Sequence, residues 1–274
     1  MKAAVYSKSG AKTKDIELPR VFNTEYRPDL IKRAHLAFMS NTYQPKGADP
    51  MAGKRNTAEN WGKGGGISRV RRIKAGPMRK GRGSKRYRAK FGSFHAAGRA
   101  AFSPCNVGGY RAHPPKVAKI LTLKINSKEK AYAVRSAIAA TAQKDVVSSR
   151  GHDIEKLKSL PLVVEDDFSK ISKSKDAVLA LAALGIIGDV EKSKPKKVRA
   201  GRGKMRGRRY RERKGPLFVL ASNSPASKAL KNLAGSDVAT AKSVNIEQLS
   251  PGAHGARLVV WTEQAIKEIG ERFK

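Results

Sequence analysis

Arginine, lysine, glycine and aromatic side chains crowd into two stretches of this sequence. Together they suit the chemistry of polyanion binding. The first stretch, Lys46 to Lys116, holds 18 Lys and Arg against 2 Asp and Glu. Its candidate contacts are Lys54, Arg55, Lys63, Arg69, Arg71, Arg72, Lys74, Arg79, Lys80, Arg82, Lys85, Arg86, Arg88, Lys90, Arg99 and Arg111, with Trp61 as a stacking group. The second stretch, Lys192 to Gly215, holds 13 basic residues and 1 acidic residue. Its candidates are Lys197, Arg199, Arg202, Lys204, Arg206, Arg208, Arg209 and Arg211. Lys and Arg displace counterions from phosphates, so such contacts add affinity that salt weakens. Arg also stacks on bases. Trp61, Tyr87, Phe91, Phe94, Phe102 and Tyr110 are interleaved with the cations of the first stretch. Each aromatic stacked on an unpaired base contributes about 1–3 kcal/mol. These rings argue against a merely solvated basic linker. The second stretch has only Tyr210, so phosphate contact is its expected task, positioning more than specifying. Nuclear localisation signals share that composition.

Other chemistry finds little footing. The Gly-rich segments 62–66 and 201–204 lack Gly-Lys-Ser/Thr and do not join a strand to a helix, as a phosphate loop requires. Cys105 and His113 make neither a zinc site nor a triad. Cys105 reads as a packing residue, and no metal or cofactor is expected. Glu165-Asp166-Asp167 follows a strand candidate, where an α/β enzyme could place carboxylates. A helix cap is the favoured reading. His35 lies on a helical stripe as a core or surface residue.

These groups need a scaffold. The first stretch has no Leu, two Ile, two Val and 13 of the 25 glycines. It cannot offset its own ordering entropy, and alone in water it is expected to be disordered. As an extended hairpin of two arms it could reach roughly 100 Å. Outside both stretches the chain carries 27 basic and 19 acidic residues. There, apolar runs alternate with helical stripes. Strands are expected at Ala3–Tyr6, Leu162–Val164, Leu217–Leu220 and Leu258–Trp261. Helices are expected over Pro28–Phe38, after a capping box at Asn126/Glu129, around Val178, Leu181 and Ala182, from Ser224-Pro225 to a stop at Gly235, and after Thr262 as cap. Short apolar strands between amphipathic helices predict an α/β fold: a largely parallel or mixed sheet flanked by helices. Residues 1–45 and 117–274 would form one globular domain. Residues 46–116 would be a long extended loop inserted in it, and 192–215 a second basic insert.

The net charge of +36 calls for a polyanionic partner, nucleic acid or an anionic membrane surface. The longest apolar run, Ala177 to Ile187, is eleven residues, too short to span a bilayer, so no membrane partner is expected. One cysteine allows no internal disulfide, which fits an intracellular protein. An RNA-modifying enzyme using residues 165–167 and a chromatin protein are the rival readings.

Several stretches are similar to large-subunit ribosomal protein family four (the L-four proteins) in its archaeal and eukaryotic form. They are Asn126-Ser-Lys-Glu-Lys130, Ala133-Val-Arg-Ser-Ala-Ile-Ala-Ala-Thr-Ala142, Arg150-Gly-His152, Lys197-Val-Arg-Ala-Gly-Arg-Gly-Lys-Met-Arg-Gly-Arg-Arg-Tyr210 and Asn232-Leu-Ala-Gly-Ser-Asp-Val-Ala-Thr-Ala241, with Ala112-His-Pro-Pro-Lys116 and Asp166-Asp-Phe168. The lack of long extensions points to the archaeal form. The resemblance covers nearly the whole chain. It implies a non-enzymatic constituent of the cytoplasmic ribosome that binds large-subunit ribosomal RNA and supports assembly. It also implies that the long loop runs inward to line the polypeptide exit tunnel. The neighbours there would be the nascent polypeptide and ribosomal protein family twenty-two at the tunnel constriction. By position the tip is expected around Gly62 to Arg82, with Arg69, Arg71, Arg72 and Lys74 near the tunnel wall. This loop is richer in Gly and Arg than in some relatives. At Arg150-Gly151-His152 a structural role is favoured over RNA contact, with Gly151 ending a helix or turn and His152 packed and hydrogen-bonded.

Overall fold

Alternating side-chain direction along short apolar strands organises the larger part of this chain. The computed structural model describes residues 1–60, 62–63, 68–74 and 98–273. It divides into two units, Met1–Thr42 with Thr122–Lys274, and Tyr43–Leu121. In chain order the elements are Lys2–Tyr6 (β1), Lys12–Glu17 (β2), Pro28–Ser40 (α1), Ala58–Glu59 (β3), Arg72–Ile73 (β4), Ser127–Ala140 (α2), Lys144–Ser149 (α3), Leu162–Val164 (β5), Ser174–Ala183 (α4) and Ile187–Ser193 (α5). They continue with Lys197–Val198 (β6), Tyr210–Arg211 (β7), Leu217–Leu220 (β8), Pro225–Lys231 (α6), Asp237–Thr240 (β9), Ile246–Leu249 (α7), Val259–Thr262 (β10) and Glu263–Arg272 (α8).

The first unit holds a six-stranded sheet of order β2-β1-β5-β10-β8-β9. β1 and β2 pair antiparallel, and every other neighbouring pair is parallel. Val5 and Trp261 both align with Val163, and Val260 aligns with Phe218. One face presents Val5, Val163, Val219 and Trp261 to Ile31, Ala34, Ala137, Ile138, Leu249, Ile266 and Ile269 of four helices. The other presents Tyr6, Leu162, Val164, Phe218, Leu220 and Val260 to Leu181, Val190 and Leu230. Burial on both faces explains why these strands read as unbroken apolar runs. Fully burying one such side chain contributes about 1.5–3 kcal/mol. β2 closes one edge with exposed Lys12 and Lys14, charges that discourage pairing with another chain. The α/β expectation of a mixed sheet flanked by helices therefore holds.

Helix ends depart from the sequence reading. Asn126 is the N-cap of α2, but its side chain makes no capping bond. Glu129, expected to close that box, instead accepts from Arg33 at 2.9 Å. The reciprocal capping box lies at Asn245 and Gln248, at the start of α7. α6 stops at Lys231, short of Gly235. α4 buries Ala177, Ala180 and Leu181, while Val178 is on the exposed side. Among the described residues no helix is long and apolar enough to cross a membrane.

In the second unit, β3 and β4 pair antiparallel. Arg72 also bridges to Ala100, and backbone bonds run from Ile73 N to Arg99 O and from Ala101 N to Arg71 O. Only Gly98 and Ala101 are buried among its described residues. The expected disorder concerned this region alone in water; its described residues carry a small hydrogen-bonded ladder.

Candidate nucleic-acid interface

In the first unit, β6 and β7 form a short antiparallel hairpin that carries the second basic stretch. Lys197 aligns with Arg211, and Val198 with Tyr210. Arg199 ties the two arms. Its N–H donates to Arg209 O at 2.7 Å, and its guanidinium donates to Arg208 O at 3.1 Å. A 3-10 turn over Arg202–Arg206 closes the tip between Gly201 and Gly207, both at positive φ, the region glycine enters without strain. Lys196 pairs with Glu212 at 2.7 Å. Among the described residues no carboxylate pairs with Lys197, Arg199, Arg202, Lys204, Arg206, Arg208, Arg209 or Arg211, and all eight are exposed. Such unneutralised charge repels itself until an outside anion arrives.

The root of this hairpin is held by buried charges. Asp189 and His152 are both buried, with His152 Nδ1 at 2.5 Å from Asp189 Oδ2. Arg213 reaches Asp189 Oδ1 at 3.6 Å and donates to Gly151 O. Arg257, fully buried, donates to Asp237 Oδ2 at 2.7 Å, Gly215 O at 2.5 Å, Pro216 O at 3.2 Å and Gly235 O at 2.9 Å. Lys214 also reaches Asp237, at 3.0 Å. Burial pushes the Asp237 carboxyl up, but Arg257 and Lys214 more than offset it and hold it below its ordinary value. Burial also lowers the Arg257 guanidinium, against the pull of Asp237. A charge this deep persists only when paired and hydrogen-bonded. Gly151 adopts φ +92 just after α3, and Arg150 donates to the carbonyls of Pro251 and His254. The three residues of Arg150-Gly151-His152 thus have structural partners inside the unit.

In the second unit, Arg71 lies over the Phe102 ring at 4.8 Å and Lys54 over Tyr110 at 5.2 Å. The two rings meet edge to face at 5.8 Å. Arg55 forks onto Asp49, lowering that carboxyl's pKa. Lys74 approaches Glu59 at 3.8 Å. Arg72 donates to Gly98 O and Ser68 Oγ. Lys63, Arg69, Arg99 and Arg111 are exposed. A separate cleft of about 790 Å³ gathers Lys46, Arg111, His113, Lys116 and Lys119, of which only Arg111 is among the expected RNA contacts. Trp61, Arg79, Lys80, Arg82, Lys85, Arg86, Arg88 and Lys90 lie outside the described residues.

The acidic cluster serves structure. Asp166 Oδ1 accepts from Gln264 N at 3.0 Å, capping α8 from 98 residues away. The helix nearest in sequence was the expected beneficiary. Thr262 is the N-cap of α8, but its hydroxyl turns to Val219 O. Asp167 pairs with Lys170 at 2.7 Å. His35 is buried in α1, and burial lowers its pKa. Among the described residues no group of three or more His, Cys, Asp or Glu is placed to hold a metal, and Cys105 is exposed, not packed.

Residues 16–272 match the model of the ribosomal protein L4/L1 family. The chain belongs to the ribosomal protein L4/L1 family. Relatives are alike over full length. A large ribosomal subunit protein uL4 from Methanocaldococcus jannaschii is 46% identical over 275 residues, covering all of both chains. Its counterpart from Methanococcus aeolicus is 44% identical over 274 residues, again with complete coverage. That of Methanosphaera stadtmanae is 41% identical and covers 98% of the relative. These are archaeal proteins, the form that the sequence stretches resemble. Membership of the L4/L1 family makes the chain a structural constituent of a ribonucleoprotein and not an enzyme. The α8 cap accounts for Asp166 without catalysis.

Proposed function

We propose that this L4/L1-family chain is a structural component of the large subunit of the cytoplasmic ribosome, and that it binds large-subunit ribosomal RNA through its two basic regions. The set of eight exposed, unneutralised cations on the β6–β7 hairpin carries this reading. Phosphates replace the missing carboxylates, and the hairpin fixes register on the RNA backbone. Residues 46–116 form the inserted RNA-binding loop. Its tip, around Gly62 to Arg82, lines the nascent-polypeptide exit tunnel beside ribosomal protein family twenty-two. Support for the tunnel role comes from the family resemblance. The candidate cations outside the described residues belong to the same loop.

The test is co-sedimentation of the tagged chain with large subunits, joined to a salt titration on large-subunit RNA. Each phosphate contact contributes about 0.9 to the slope of log affinity against log salt. Changing Arg202, Arg206 and Arg208 together to Gln is expected to flatten that slope by roughly 3. Absence from large subunits, or an unchanged slope, overturns the reading.

A further inference from the structure

Phosphate contact leaves one arrangement in the second unit unexplained. Phe102 holds a φ of +56, a conformation rare for a bulky side chain and a mark of functional sites when the surroundings enforce it. The surroundings do enforce it. Ala101 N is bonded to Arg71 O at 2.8 Å just before Phe102, and Gly109 N to Asn106 O at 3.0 Å just before Tyr110. Gly53 packs so closely on the Gly109–Tyr110 peptide that an added Cβ would stand 2.4 Å from it. Gly109 likewise lies against Ser103 O, where a Cβ would stand at 1.9 Å. These contacts bring both rings together on the turn-rich segment 101–110.

The rings are not sealed in a core. Phe102 and Tyr110 line an open cleft of about 520 Å³ together with Arg69, Val70, Arg71 and Ser103. Arg71 covers one part of Phe102 at 4.8 Å, and the edge-to-face angle of 65° between the rings leaves an aromatic corner facing the cleft. A half-exposed aromatic corner, flanked by guanidinium groups and fixed by backbone strain, suits a flat, electron-rich ligand that carries negative charge nearby. An unstacked nucleobase with its phosphate meets both demands: the base stacks on the ring or guanidinium plane, and Arg69 or Arg71 meets the phosphate.

We propose that the cleft formed by Arg69, Arg71, Phe102 and Tyr110 takes a single unstacked RNA base. The inference rests on the RNA-binding reading above. It assigns this cleft to base capture, distinct from the phosphate contacts of the hairpin.

The experiment uses the full chain and three RNA duplexes of the same sequence: one perfect, one with a bulged 2-aminopurine, one with an abasic bulge. Binding is followed by anisotropy and stacking by 2-aminopurine emission. The base-bearing bulge is expected to bind about tenfold tighter than the abasic one, with its emission quenched on binding. Phe102→Gly removes the ring while suiting the backbone, and Tyr110→Ala removes the second ring. Each is expected to abolish the difference between the two bulges while leaving affinity for the perfect duplex unchanged. Equal wild-type affinity for the two bulges, unquenched emission, or variants that weaken all three duplexes alike overturns the base pocket. Failure to bind any of the duplexes at low salt overturns the RNA reading itself, a separate outcome.

Discussion

The two-faced sheet and the Tyr43–Leu121 unit hold themselves together by opposite means. In the sheet, Leu162, Val163, Leu217, Phe218, Val219 and Trp261 are fully removed from water, and helices cover both faces. In the second unit only Gly98 and Ala101 are buried among the described residues. Its order comes from backbone bonds, glycine-enabled close approach and cation–ring contacts. The β6–β7 hairpin stands between these extremes: its arms are exposed, but its root is pinned by Asp189, Asp237 and Arg257. Charge-rich segments can therefore be ordered in one protein by two routes, anchorage to a core or local ladders. Only the first draws on burial that persists without a partner.

Limited proteolysis gives the largest contrast. In the RNA-free protein, trypsin is expected to cut within residues 43–121 roughly 100-fold or more faster than within the sheet, because segments with few buried contacts open at little cost. Large-subunit RNA is expected to protect them. Equal resistance of the two regions without RNA would break the comparison.

Arg257→Ala tests the anchorage. It takes their shared donor from Asp237 and four backbone carbonyls. A loss of about 3–5 kcal/mol is expected in urea unfolding of the globule. A neutral result would show that the root is not held by this charge.

Asp237→Asn sharpens the same point through pH. The carboxyl is held below its ordinary value in the folded chain, so its contribution is present above the unfolded pKa and is lost as pH falls through the folded one. The wild-type Tm is expected to drop through that acidic window. In the variant, this part of the drop is absent, and stability at neutral pH is lower by about 1.5–3 kcal/mol, because the hydrogen bonds from Arg257 and Lys214 lose their charged acceptor. Identical pH profiles would remove Asp237 from the account. The smallest effect belongs to Asp166→Ala, where loss of the α8 cap is expected to cost about 1 kcal/mol by urea unfolding.

The legibility of the sequence follows the same divide. Where a strand is buried on both faces, its composition announces it: Leu217–Leu220 and Leu162–Val164 were readable from four and three residues. β9, Asp237–Thr240, was not, because its residues are mostly half-buried at an edge and too polar to stand out. β2 escaped because it is almost wholly exposed and charged, with only Ile16 half-buried. Caps misled because a side chain's partner is set by tertiary position: Asn126 had the right neighbour in sequence, and Glu129 found Arg33 instead. The charge of the basic stretches was plain, whereas the buried Arg257 that braces one of them lies outside both, in no motif. Phe102 and Tyr110 were visible as rings among cations, but their meeting depends on a backbone turn that spacing does not encode.

The placement of β10 has a consequence for how the protein is made. It is the last strand in sequence, yet it lies fourth across the sheet, paired with β5 on one side and β8 on the other. Until Val259–Thr262 emerges during synthesis, β2-β1-β5 and β8-β9 are two half-sheets with no seam between them. Both basic regions are translated before that seam can close. A growing chain therefore exposes its cationic segments to cellular polyanions before it has a finished core to hold them.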